Sequence, residues 1–175
     1  GTLFSNLTST ELNNITDLAI TGTIDARDFK TLRDNMPALT ILDLSGVSIV
    51  DYSGTGGTSL NFSSTSYPAN STPEFAFCKA DYTSKLQSIN LPLSLTAIGP
   101  WTFEFCEKLN KITIPNTVNS IGTYAFCGCI SLSGTFTIPS SLTFLGDFPF
   151  SACTGLSDFY ISTDNQLFST LNGVL

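Results

Sequence analysis

Leu109-Asn-Lys-Ile112-Thr-Ile114-Pro115-Asn-Thr-Val118-Asn-Ser-Ile121-Gly122-Thr-Tyr-Ala-Phe126-Cys-Gly-Cys129-Ile-Ser-Leu132 is one unit of a pattern that the chain spells out repeatedly. Its opening occurs upstream as Leu86-Gln-Ser-Ile89-Asn-Leu91-Pro92. It returns downstream as Leu132-Ser-Gly-Thr-Phe136-Thr-Ile138-Pro139, with one residue inserted. A further copy, Leu156-Ser-Asp-Phe159-Tyr-Ile161, lacks the proline, and the successive spacings are 23, 23 and 24 residues. Other positions move in step: Ile98-Gly99, Ile121-Gly122 and Leu145-Gly146; Phe103, Phe126 and Phe150; Cys106, Cys129 and Cys153. A fixed period of this length is the mark of a solenoid, whose units stack because none buries its own apolar face alone.

Within a unit, Leu-x-x-Ile-x-Leu reads as a short strand with alternate side chains turned inward. The following proline cannot donate to a ladder and ends the strand. Gly99, Gly122 and Gly146 are expected to serve a turn at positive φ. Phe103, Phe126 and Phe150 then fill the far side of the core, where one large ring replaces a helix.

The N-terminal part carries the same strand motif in Ile15-Thr-Asp-Leu18-Ala-Ile20 and Leu39-Thr-Ile-Leu42-Asp-Leu44. Between them Asp25 is placed to cap a helix over 26–36, with Phe29, Leu32 and Met36 on one face and Pro37 as the stop. A shorter helix is expected near 9–14. The chain thus reads as a single domain over 1–175. Residues 1–50 form an N-terminal cap with the first strands, and 51–72 a polar loop. The repeats occupy 73–165, and 166–175 begin a further unit. The expected fold is a repeat solenoid leaning to β: a right-handed coil with short parallel strands on a concave face and an N-terminal helical cap. The last unit leaves an unsealed strand edge, to be covered either by further sequence or by another chain, end-to-end self-association included.

Charge narrows the function. With 7 basic against 14 acidic residues and a net charge of −7, the chain lacks the cations that nucleic acid or an anionic membrane demands. No stretch is apolar for long enough to insert in a bilayer. The absence of histidine removes Ser-His-Asp and Cys-His pairs, histidine zinc sites and the commonest general base. Charged residues make up only 12% of the chain, so Ser, Thr and Asn must supply its polar surface, as on many secreted proteins.

The pattern Ile-x-Ile-Pro-x-x-Val-x-x-Ile-Gly-x-x-Ala-Phe-x-x-Cys-x-x-Leu in residues 112–132 resembles the BspA-like leucine-rich repeat of bacterial surface proteins. The segments Leu18–Phe29 and Leu39–Gly46 resemble N-terminal portions of such proteins from Bacteroides-type bacteria. Asn165–Phe168 through Asn172–Leu175 is similar to the start of another unit. The resemblance implies a secreted or cell-surface protein and, for some members, adhesion to host matrix proteins; it implies no reaction. The chain departs from the pattern where the last copy lacks proline and where Trp101 stands near the position of Tyr124.

The outward strand face is the candidate binding surface. By period 2 it carries Ser88 and Asn90, Lys111 and Thr113, Thr135 and Thr137, then Asp158 and Tyr160, preceded by Asp17, Ala19, Ile41 and Asp43. The partner it fits is an extracellular protein, or a glycan held by Tyr160, Asp158 and Asn90; the alternatives are a solvated polar sheet and a structural spacer within a larger protein. Cys106, Cys129 and Cys153 read as an inward ladder of thiols, with disulfides between rungs as the alternative. Cys127-Gly-Cys129 has no second half for a zinc site, and Gly54-Thr-Gly-Gly-Thr58 lacks the context of a phosphate loop. Asp25 with Asp28, and Glu104 with Glu107, are the carboxylate pairs to consider, and both read better as a helix start and a solvated loop. Four glycosylation sequons begin at Asn6, Asn14, Asn61 and Asn70, a number near chance in so Ser/Thr/Asn-rich a chain. No catalytic, cofactor or metal site is expected.

Overall fold

The computed structural model describes residues 1–60, 65–79 and 81–169. Helices α1 (Leu3–Asn6) and α2 (Ser9–Asn14) lead into strand β1 (Asp17–Ile24), helix α3 (Ala26–Asn35) and strand β2 (Ile41–Ile49). Ten short strands follow: β3 (Tyr52–Ser53), β4 (Ser66–Tyr67), β5 (Ser71–Thr72), β6 (Ser88–Asn90), β7 (Ala97–Ile98), β8 (Lys111–Thr113), β9 (Ser120–Ile121), β10 (Gly134–Ile138), β11 (Phe144–Leu145) and β12 (Leu156–Ile161).

The helical cap forms where its signals stand. Asp25 accepts from the Arg27 amide while Asp28 reaches back to the Asp25 amide, a reciprocal capping box at the start of α3. Thr8 and Glu11 make the same box on α2. Phe29, Leu32 and Met36 lie on the buried face, against the core that runs through every coil.

The coils of β2, β6 and β8 visit two parallel ladders. One joins β1, β2, β6 and β8; the other joins β5, β7, β9 and β11. Inward residues of the first ladder are stacked in register, Leu42 on Ile89 and Ile89 on Ile112. Past the second ladder the chain crosses the core through a column of rings. Phe77, Phe103, Phe126 and Phe150 stack at centroid separations of 5.2, 5.2 and 5.4 Å. Offset stacking at this spacing satisfies the ring quadrupoles while burying large apolar area.

The glycines after the second ladder serve a purpose other than the expected turn. Positive φ is found at Gly22, Gly54, Gly128 and Gly134, and not at Gly99, Gly122 or Gly146. What these three have in common is the backbone of the preceding coil. A Cβ at Gly99 would lie 2.4 Å from the Thr72 carbonyl oxygen, at Gly122 2.5 Å from the Pro100 nitrogen, and at Gly146 2.3 Å from the Thr123 nitrogen. Close approach of coils, rather than dihedral freedom, fixes glycine here. The left-handed conformation is instead taken by Phe75, Trp101, Tyr124 and Phe148, at one repeat position, with φ of 51 to 54°.

The described residues of the 51–72 segment, 51–60 and 65–72, are more ordered than their composition suggests. β3 and β4 pair antiparallel, Tyr52 stacks on Tyr67, and Gly57, Thr58 and Ser59 are buried. The buried Arg33 guanidinium pins it, donating to the Thr58 carbonyl at 2.6 Å and to the Phe75 carbonyl at 2.8 Å.

Candidate functional site: a divided strand face

Register places the outward residues in rows. Asp17, Ile41, Ser88 and Lys111 form one row, and Ala19, Asp43, Asn90 and Thr113 the next. Thr135 and Thr137 stand beside Asp158 and Tyr160. These are two sheets, however, and not one. β8 is the last strand of its ladder, while β10 pairs with β12 alone.

The repeated backbone contacts show where the continuity ends. At each earlier junction two successive amides converge on one carbonyl of the coil before. Thr40 and Ile41 donate to the Thr16 oxygen, Gln87 and Ser88 to Thr40, Asn110 and Lys111 to Gln87. The equivalent bonds to Asn110 are missing, and the Gly134 amide turns to the Gly155 oxygen instead. The inserted residue, Gly134, lies at φ +76°. Phe136 takes the place of Ile112, and its ring packs against Phe126, Phe150 and Phe159.

An open cleft of about 490 Å³ therefore separates β8 from β10. Its lips carry Lys111 and Thr113 on one side and Thr135 and Thr137 on the other, with Ile112, Phe136 and Leu156 below. Four of the eight expected surface residues thus meet at one feature. Ser88 and Asn90 lie one strand behind the near lip, on β6, and Asp158 and Tyr160 lie one strand beyond β10, on β12. Ile112 is left partly exposed, whereas Ile89, at the same repeat position, is 1% exposed.

The face is polar and lightly charged. Lys111 is exposed and makes no ion pair among the described residues. The Ser45 amide, then the Ser45 and Asn90 side chains, hold the Asp43 carboxyl below its ordinary value. Asp158 is half-buried and accepts from the Phe159 amide at 2.7 Å; Tyr160 beside it is 57% exposed.

The remaining candidates fall into structural places. All five cysteines are buried and free. The Cys129 thiol donates to the Phe103 carbonyl, while Cys127 lies across the left-handed Gly128. Among the described residues no three metal-binding side chains cluster. Asp25 and Asp28 are spent in the capping box, and Glu104 accepts from the Cys78 thiol with no contact to Glu107. Of the sequons, Asn6 and Asn14 are exposed, Asn70 is half-buried, and Asn61 lies outside the described residues. So do 170–175 of the expected further unit. A larger depression of about 620 Å³ beside α3 holds Lys30, Arg33 and Asp34, which are already paired with one another.

Two features escape a reading of the repeat alone. One is the cleft, signalled only by the 24-residue spacing. The other is an aromatic ridge on the turns: Phe75 stacks on Trp101 at 4.9 Å, and Tyr124 on Phe148 at 5.7 Å.

A profile of the BspA-type leucine-rich repeat region matches residues 58–171 in six copies. The chain belongs to this family. Among curated protein sequences none matches it. Solved structures share the fold of this BspA-type chain. A leucine-rich cell surface protein from Faecalibacterium prausnitzii is 22% identical, with a TM-score of 0.57, over 86% of this chain and 36% of that one. The pneumococcal vaccine antigen PcpA is also 22% identical, with a TM-score of 0.52, over 87% of this chain and 33% of that one. The chain thus spans about a third of the length of either protein. No helix among the described residues is long and apolar enough to cross a membrane.

Proposed function

We propose that this BspA-type chain is a non-enzymatic binding module, displayed outside the cell, that holds a protein partner on its strand face. The cleft between β8 and β10 carries the reading, because it gives an otherwise regular sheet a shaped feature lined by Lys111, Thr113, Thr135 and Thr137. Exposed Tyr160 one strand away supplies the amphipathic ring that binding hot spots favour. Membership in a family of surface repeats and the Faecalibacterium neighbour, described as a cell surface protein, support the location. Enzymatic chemistry finds little to work with: the chain has no histidine, and Lys30, Arg33 and Asp34 of the larger depression are engaged with one another.

A display role is the second reading. It is favoured by the chain covering only about a third of its structural neighbours, as a segment of a longer solenoid would. Binding of the purified chain to immobilised matrix proteins and glycans, beside an Asp158→Ala/Tyr160→Ala variant, separates the readings. Saturable protein binding weakened in the variant supports the module. Binding to glycans alone replaces the protein partner with a sugar, and binding to nothing favours display.

A further inference from the structure

We infer that the cleft between β8 and β10 is a receptor for an extended polypeptide, which enters as an additional strand and completes the divided sheet. This rests on the strand face being the binding surface, and it names the chemistry of what is bound there.

Both lips are strand edges. β8 bonds to β6 through the Lys111 amide, so the alternation of the strand turns the Ile112 amide and carbonyl toward the cleft. β10 bonds to β12 and leaves its other edge facing the same space. Unpaired strand edges are ordinarily covered, because each presents a row of donors and acceptors that templates another strand. Here two such rows face each other across about 490 Å³ within one molecule. Only a backbone offers donors and acceptors on both of its sides at the strand repeat, which is the basis of recognition by strand addition.

Elsewhere the two coils remain joined. β9 pairs with β11, Phe126 stacks on Phe150, and the Ser131 hydroxyl donates to the Glu107 carbonyl. The opening is a wedge confined to the strand face. Its length is set by the three residues of β8 and the five of β10. Its floor, Ile112, Phe136 and Leu156, selects apolar side chains at alternate positions of the guest. The outward positions of the guest lie between Lys111 and Thr135 and between Thr113 and Thr137, which favours polar residues with an acid near Lys111.

The test uses the whole chain and a blocked peptide, acetyl-Asn-Glu-Ile-Thr-Ile-Pro-amide, which copies residues 110–115, a segment that already docks on such an edge, with glutamate in place of the lysine. Amide hydrogen exchange is followed with and without saturating peptide. The free chain should exchange rapidly at Ile112 and along the outer edge of β10, and the peptide should slow these amides about tenfold or more. The same peptide with its isoleucine nitrogens methylated keeps its side chains but loses donors, and should give no protection. Deleting Gly134 restores the 23-residue spacing; it should close the cleft, protect Ile112 without peptide and abolish binding. Slow exchange at Ile112 in the free chain, no protection by the peptide, or equal protection by the methylated peptide would each overturn the inference. Protection at β1 or the outer edge of β12 alone would do the same. Because exchange is read at the cleft, matrix-protein binding lost in Asp158→Ala/Tyr160→Ala without cleft protection would leave the strand-face reading standing and remove only this one.

Discussion

The Cys129 thiol donates to the carbonyl oxygen of Phe103 in the preceding coil at 3.1 Å, and Cys153 does the same to Phe126 at 3.0 Å. The position takes a side chain small enough for full burial that adds a second donor to a carbonyl already bonded by an amide of its own coil. Cys129→Ala removes the second donor and leaves that oxygen with the Cys106 amide alone, at 2.9 Å, and should cost about 0.5–1.5 kcal/mol in chemical denaturation. Cys129→Ser keeps a donor and should cost less. A larger loss for serine than for alanine would show that packing, and not the hydrogen bond, selects cysteine.

The same burial sets a pH limit. Desolvation pushes the Cys106 thiol up to about 12 and Cys153 up to about 11, above the ordinary thiol value of 9.0. A group whose folded value is raised contributes stability that is complete below its unfolded value and is lost as pH climbs through the folded one. Stability should therefore decline between about pH 9 and pH 12, where unfolded thiols ionise and folded ones resist. Urea midpoints for the wild-type chain and Cys106→Ser across that range check it; an equal decline in both would exclude the thiol as the cause.

Gly122 tests why glycine recurs after the second ladder. Its missing Cβ would lie 2.5 Å from the Pro100 nitrogen, and backbone has little room to yield. Gly122→Ala should cost about 1–3 kcal/mol through overpacking. Gly134→Ala meets nothing within 4 Å and strains only its φ of +76°, so it should cost about 1–2 kcal/mol. If Gly122→Ala is neutral in thermal unfolding, coil contact is not the reason for glycine.

Arg33 anchors the 51–72 segment through the Thr58 and Phe75 carbonyls and a bidentate contact with Asp34. Lysine cannot reproduce the planar fork. Arg33→Lys should therefore leave two buried carbonyls poorly satisfied, costing about 1–3 kcal/mol and exposing the peptide bonds near Thr58 to limited proteolysis. Unchanged proteolysis would mean that the segment is held by its Tyr52–Tyr67 pairing alone.

Much of the fold was legible in the residues. Asp25 and Pro37 mark the ends of α3, and the apolar period places Ile89, Ile112 and Phe136 inward. The role of Gly122 was not, because a glycine at a turn and a glycine against a neighbouring backbone look alike without the neighbour. Arg33 was hidden for a related reason, since its partners are carbonyls, which leave no trace in side-chain patterns. The division of the strand face lay between these cases. The extra residue at Gly134 was visible, but an insertion is also absorbed by a register shift, as between Asp43 and Gly46 of β2 opposite Ala19 and Thr21 of β1. Only the combination of the insertion with the ring of Phe136 decides that the ladder opens.

On the proposed function, partners meet the strand face and not the aromatic ridge on the turns. Both surfaces are accessible: Tyr160 is 57% exposed on one, and Phe148 is 64% exposed on the other. The direct measurement compares the affinity of one matrix protein bound by the wild-type chain with that of two double variants. Lys111→Glu/Thr135→Glu alters both lips of the cleft. Tyr124→Asn/Phe148→Asn strips rings from the turns while keeping a residue that tolerates positive φ. Affinity should fall about tenfold or more in the first and change little in the second; loss confined to the second would place the binding surface on the ridge and contradict the account.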